Sequence, residues 1–218
     1  MEVWTGIWYC GIGQDEQDGS CLEFSSGTYM NMIEVKFAET EDELRDMRAL
    51  QLLNLRQHIS GEEAISEGFV MAEYSLEYLM EMHASTPAII AKEGVQLAGY
   101  IMLASKDVRE GHPLLQGLFQ AIDLIPYKGH MLKSANYIVV GQVCVGKEFR
   151  GKGLFDRMYS FLQENLKDRF TYCACDIAQD NKRSLKAHMR MGFQIIGKLT
   201  FGELDWNVVL WDWQTGEH

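Results

Sequence analysis

The chain has 218 residues, a formal net charge of −11 and a hydrophobic share of 47%, enough for one domain with a sizeable core. That acidic balance argues against a nucleic-acid partner, because binding phosphates takes Lys and Arg, and it suits a cationic ligand such as an amine. No apolar run reaches the roughly 18 residues that span a bilayer. The cysteines, Cys10, Cys21, Cys144, Cys173 and Cys175, show no Cys-x-x-Cys or Cys/His spacing, so no metal is expected, and their odd number points to a reducing, cytoplasmic setting.

Residues 1–31 contain no Lys or Arg and are rich in Gly and Ser between Gln14 and Ser20. Without a basic start they are not read as a signal peptide. Trp4, Trp8, Tyr9 and Phe24 argue against plain disorder, so this stretch is expected to be a loosely attached extension or to add a short strand. The domain proper is expected over 32–218. Ile33 to Phe37 alternates as an edge strand. Thr40 with Glu43 forms a capping-box signature, predicting a helix to about His58. Two shorter helices are expected over Ser60–Ala72 and Ser75–Met82. Strands over Ala88–Ala91 and Leu97–Leu103 meet at a hairpin signal, Glu93-Gly94-Val95. Residues 106–136 form a long connection, helical over Leu114–Ile125 and loop over Pro126–Ser134, with His112 and His130 read as surface histidines.

A strand, Tyr137 to Val145, follows. Then comes the turn Lys147-Glu148-Phe149-Arg150-Gly151-Lys152-Gly153, and after it Leu154, Met158, Phe161, Leu162 and Leu166 recur at helical spacing. Next are a strand over Thr171–Ile177, a helix opening at Asn181 with Asp180 as its expected N-cap and closing at Gly192, and strands over Phe193–Phe201 and Asn207–Trp213. The total is about seven strands and four or five helices, an α/β fold on a mixed sheet.

Strand, glycine-rich turn and helix together make an anion site. Glycines let the backbone approach a ligand, and the helix N-terminus adds partial positive charge. The phosphate-loop pattern G-x-x-x-x-G-K-[ST] is absent because Leu154 follows Gly153, and G-x-G-x-x-G fails because no third glycine follows; both weigh against a nucleotide-binding protein. Lys147, Arg150, Lys152, Lys182 and Arg183 are expected to form a local basic patch.

The sequence Arg150-Gly151-Lys152-Gly153 after Val143-Cys144-Val145 resembles the acetyl-CoA pyrophosphate loop, [QR]-x-x-G-x-[GA], of the GNAT superfamily of N-acetyltransferases, although Glu148 departs from its first position. Residues 181–193, NKRSLKAHMRMGF, resemble the family's later motif, an Asn-led helix closed by Gly-Phe, with His188 where the family carries Tyr. The resemblance covers roughly residues 32–213. It implies a central, mostly antiparallel sheet flanked by helices. It also implies acetyl-CoA as acyl donor, and a primary amine of a small molecule or amino-acid-like acceptor as partner, acting as monomer or homodimer. Pantetheine would lie along Val143, Cys144 and Val145. Pyrophosphate would sit on Arg150, Gly151, Lys152, Gly153, Leu154 and Phe155, and Asn181 and Ser184 would add cofactor contacts. His188 would protonate the departing thiolate, imidazole being suited to that task near neutrality. The early helical region would line the acceptor cleft, making Glu62, Phe69, Tyr74 and Glu81 candidates for substrate contact. Gln142 occupies the central strand where a Glu could have been a base, so the base stays unassigned. A non-catalytic acyl-CoA-binding module on the same fold is the alternative.

Overall fold

The computed structural model of the chain describes residues 33–201 and 204–215. The expectation for residues 1–31 lies outside them. In chain order the elements are β1 (Glu34–Phe37), α1 (Glu41–Asn54), α2 (Gly61–Glu67), α3 (Leu76–Ser85), β2 (Ile89–Glu93), β3 (Gln96–Ala104), α4 (Pro113–Asp123), β4 (Pro126–Tyr127), β5 (His130–Met131), β6 (Tyr137–Val145), α5 (Leu154–Leu166), β7 (Tyr172–Ala178), α6 (Lys182–Arg190), β8 (Gln194–Phe201) and β9 (Leu204–Asp212). Seven strands form one sheet in the order β1-β2-β3-β6-β7-β9-β8, and β4 with β5 makes a separate two-residue hairpin. All pairings in the large sheet are antiparallel except β6 with β7.

The alternation of each strand divides the core in two. Leu44 and Met47 of α1, Tyr78 and Met82 of α3, and Leu118 and Phe119 of α4 pack on one face with Tyr100, Val139, Ala174 and Val208. Met158, Tyr159 and Leu162 of α5 pack on the other with Ile101, Ile138, Val140 and Val209, joined by Leu185 and Met189 of α6. The parallel β6–β7 contact at the centre of the sheet needs a crossover, and α5 supplies it.

Several boundaries differ from the sequence reading, each for a local reason. Thr40 and Glu43 do form a capping box, but α1 ends at Asn54 because Leu55 turns extended and bridges to Val70. The second helix stops at Glu67 rather than running to Ala72, since Gly68 takes φ +76° and Val70 joins that bridge. The N-cap of α6 is Asn181, whose side chain accepts from the Ser184 N–H, and not Asp180. The connection before β6 is not plain loop, because it holds the β4–β5 hairpin. His112 is not a surface residue: it is half-buried, caps α4 by accepting from the Leu114 N–H, and its ring lies 4.7 Å from that of Tyr74.

Candidate active site

The site begins where the two central strands part. Strand β6 pairs with β7 only through Tyr137, Ile138 and Val139. Beyond that point β6 carries a bulge at Gly141, which falls between the pairs Met102–Gln142 and Leu103–Val140 on β3. A bulge bends the strand and increases its twist, so the edge of β6 from Gly141 to Val145 that faces β7 is left without a strand partner among the described residues. Such an edge takes up an extended ligand by adding it as a strand.

The β6–α5 turn continues from that edge. Gly151 and Gly153 adopt φ +75° and +72°, a conformation in which L side chains are strained, and an added Cβ at either would meet nothing within 4 Å. Gly153 is the N-cap of α5 and offers no side chain to the first-turn amides, an arrangement that suits an anion at this helix N-terminus. A cavity of about 540 Å³ opens over the turn and runs along Val143, Cys144 and Val145. Arg150, Gly151, Gly153, Leu154, Phe155, Asn181 and Ser184 also line it. Of the residues expected at the cofactor, only Lys152 is missing from the lining; it is exposed and lies over the Phe149 ring.

The basic patch differs in membership from the expected one. Arg150 and Arg183 line the cavity together with Lys186 and Arg190, which the sequence reading missed, whereas Lys147, Lys152 and Lys182 do not. The helical period explains this: residues 183, 186, 187 and 190 share one face of α6. Arg150 is held from three sides. Its Nε donates to Val145 O at 3.0 Å, Nη1 meets Glu67 Oε2 at 3.2 Å, and Nη2 donates to Asn54 Oδ1. Arg183 donates to the same Glu67 oxygen at 3.0 Å.

A second, smaller cavity of about 70 Å³ fills the gap between β6 and β7 and shares Phe69, Val70, Val143, Asn181 and Ser184 with the first. Asp176, Trp206, Leu114 and His188 also line it. Asp176 Oδ2 and Trp206 Nε1 are enclosed and have no hydrogen-bond partner among the described residues. Burial pushes the Asp176 carboxyl up to about 7, with its own backbone N–H offsetting part of that. The sequence carried a signal for this residue, a single charge in the otherwise apolar run Tyr172-Cys173-Ala174-Cys175-Asp176-Ile177-Ala178.

His188 is placed differently from the expected thiolate donor. It is 2% exposed, with Nε2 at 2.7 Å from the Tyr159 hydroxyl and Nδ1 at 2.8 Å from Ser184 O. Carbonyl oxygens only accept, so Nδ1 carries the ring proton and Nε2 accepts from Tyr159. Burial holds its pKa down to about 4. The neutral ring has both nitrogens engaged within the protein and packs edge-on against Phe155, Tyr159 and Phe193.

Among the acceptor-side candidates, Phe69 lines both cavities. Tyr74 is fully buried and donates to Gly141 O at 3.3 Å, so it braces the bulge. Glu62 and Glu81 are exposed and line neither cavity. Gln142 has a structural task. Its Oε1 accepts from Tyr100 and Gln51, and its Nε2 donates to Ala72 O at 2.8 Å. This network ties β3, β6 and α1 to the segment before α3.

The comparisons with known proteins agree with this geometry. The model of the Acetyltransferase (GNAT) family matches residues 50–193. No curated protein matches the chain by sequence. Among solved structures, the ribosomal-protein-S18-alanine N-acetyltransferase of Escherichia coli superposes with a TM-score of 0.56 at 10% identity, over 83% of this chain and 94% of that one. An N-acetyltransferase from Staphylococcus aureus Mu50 gives 0.54 at 16% identity, over 84% and 99%. The yncA structure from Salmonella typhimurium, with its cofactor acetyl-CoA, gives 0.54 at 14% identity, over 85% and 96%. At these identities the structures speak for the fold, and the family match, over most of the domain, speaks for the lineage: the chain belongs to the GNAT family of acetyltransferases, enzymes that take acetyl-CoA as acyl donor.

Proposed function

We propose that this protein transfers the acetyl group of acetyl-CoA to the primary amine of a small molecule or amino-acid-like acceptor. The observation that carries the reading is the parting of β6 and β7, which leaves a free strand edge ending at the positive-φ glycines of the α5 turn. The residues fit the donor. The edge from Val143 to Val145 suits the amides of a pantetheine arm as an added strand. The open amides at the start of α5, with Arg150 and Arg183, suit a pyrophosphate. Asn181 caps α6 and donates to Phe69 O at 3.1 Å, so its part is to hold the cavity wall, while Ser184, whose hydroxyl lies 3.4 Å from His188 Nδ1, lines the cavity where the donor would pass.

Bound acetyl-CoA supplies an activated thioester. The chain's part is to hold that thioester at the mouth of the small cavity, to polarise its carbonyl with backbone N–H groups of β6, and to admit the amine from the opposite side. The acidic surface favours a cationic acceptor. A cytoplasmic location is supported by the free, buried Cys144, Cys173 and Cys175, and no helix among the described residues is long and apolar enough to cross a membrane.

Release of free thiol from acetyl-CoA with a panel of primary amines tests the reading. Amine-dependent thiol release is expected. Tight CoA binding without turnover on any amine would overturn it in favour of a non-catalytic acyl-CoA-binding module.

A further inference from the structure

We infer that Asp176, on the floor of the small cavity between β6 and β7, is the group that binds the ammonium of the acceptor and takes its proton. The inference rests on the acetyl-transfer reading above. Asp176 pairs with Val208 of β9, and its neighbours on alternate positions, Ala174 and Ala178, face α1, α3 and α4. The carboxylate therefore enters the strand gap from the sheet face opposite α5, whose N-terminus forms the phosphate cradle. A donor lying on the cradle and an acceptor lying on Asp176 meet across the gap.

Among the described residues the cavity wall contains no lysine or arginine, and Oδ2 has no hydrogen-bond partner. An enclosed carboxylate without a counter-charge is costly, and a ligand cation removes that cost. Titratable groups face it from three elements: Tyr74 before α3, Cys175 beside it on β7, and His188 on α6. Burial raises the hydroxyl and the thiol well above their usual values and lowers the imidazole to about 4. All three are thus uncharged at pH 7, and Asp176 titrates there alone. With its pKa near 7 it matches the requirement for a general base at neutral pH.

In the reaction the N–C bond forms as the C–S bond breaks. Of the two protons the ammonium gives up, the first passes to Asp176 Oδ2 and from there to solvent. The second goes to the sulfur, and CoA leaves as the thiol. The unpartnered Trp206 N–H in the same wall is a second polar contact for the acceptor. Leu114, Met71 and Val140 add apolar wall beside the uncharged polar residues Gln142, Asn181 and Ser184, and about 70 Å³ holds an ammonium head and its neighbouring carbons. Nothing there neutralises a carboxylate beside the amine. The site therefore selects alkylamines over free α-amino acids.

The test compares wild type with Asp176→Asn, using butylamine and its α-carboxylated counterpart norvaline as acceptors. Wild type is expected to favour butylamine at least tenfold, with kcat/KM rising to a plateau above pH 7. The variant is expected to lose about a hundred- to ten-thousandfold at pH 7, to lack the plateau, and to bind CoA as wild type does in calorimetry. A variant that keeps the wild-type rate and acid limb would overturn the inference, as would a preference for norvaline. If no amine is acetylated, the proposed function fails, and calorimetry of butylammonium with the CoA-loaded protein decides the inference separately. Binding weakened at least tenfold by Asp176→Asn supports it, and unchanged binding or none in wild type overturns it. A gain in the apo variant's thermal stability above pH 7 excludes a purely structural role.

Discussion

Glu67 holds Arg150 where a phosphate is expected to lie: its Oε2 stands 3.2 Å from Arg150 Nη1 and 3.0 Å from Arg183 Nη1. One carboxylate at the end of α2 thus joins basic side chains of the β6–α5 turn and of α6, and a pyrophosphate bound as proposed would compete with it. Glu67→Gln is therefore expected to tighten CoA binding by about fivefold, the size of one partly exposed ion pair of roughly 1 kcal/mol. Isothermal calorimetry at fixed ionic strength checks this. Weaker binding would show that Glu67 serves instead to position the two guanidinium groups.

The turn glycines separate charge from strain. Gly151 has φ +75° and open space at its Cβ, so Gly151→Ala costs only the backbone conformation, about 1 kcal/mol. Gly151→Asp adds a negative charge at the phosphate site. The expected outcome is a small loss of CoA affinity for the alanine variant and a loss of at least tenfold beyond it for the aspartate variant, both read by calorimetry.

The Gln142 network predicts that a glutamate there does not create a base. Gln142→Glu removes the donor to Ala72 O and buries a charge against that carbonyl. A loss of about 2–4 kcal/mol in unfolding free energy by urea denaturation is expected, with no gain in rate. A faster variant would assign a catalytic role to this position.

His188 and Asp176 give opposite pH signatures. Burial lowers His188 to about 4 from the ordinary 6.5, so the unfolded chain takes up a proton first as pH falls. The folded state loses stability between 6.5 and about 4, on the order of 3 kcal/mol. Asp176 is raised to about 7 from 3.8, so the unfolded chain loses its proton first as pH rises, and stability falls between about 4 and 7. His188→Gln is expected to flatten the first slope and to leave the acid limb of kcat/KM unchanged. Thermal melts from pH 4 to 8 with the rate profile check both, and an acid limb lost with His188 would restore it as a proton carrier.

Local chemistry in the sequence determined much of this protein. The 3.6-residue and two-residue periods of apolar side chains placed the helices and strands, because one face of each element must be buried wherever it packs. The V-x-V strand, Gly151 and Gly153 marked the cradle, because positive φ needs glycine whatever surrounds it. Asn181 and Ser184 were legible as the start of α6, although the cap itself fell on Asn181 and not on the expected Asp180.

Other features depend on residues distant in the chain. Lys152 and Arg190 carry the same charge, and only the way the turn and α6 present their side chains decides which reaches the cavity. The partner of His188 Nε2 is Tyr159, 29 residues earlier, which no local pattern announces. Asp176 gains its meaning from the gap between β6 and β7, from Trp206 across β9 and from the lack of any cation in that wall. Burial and pairing arise from the three-dimensional arrangement of strands, so the tertiary structure alone decided that Asp176 lines the gap between β6 and β7 and that both ring nitrogens of His188 are engaged.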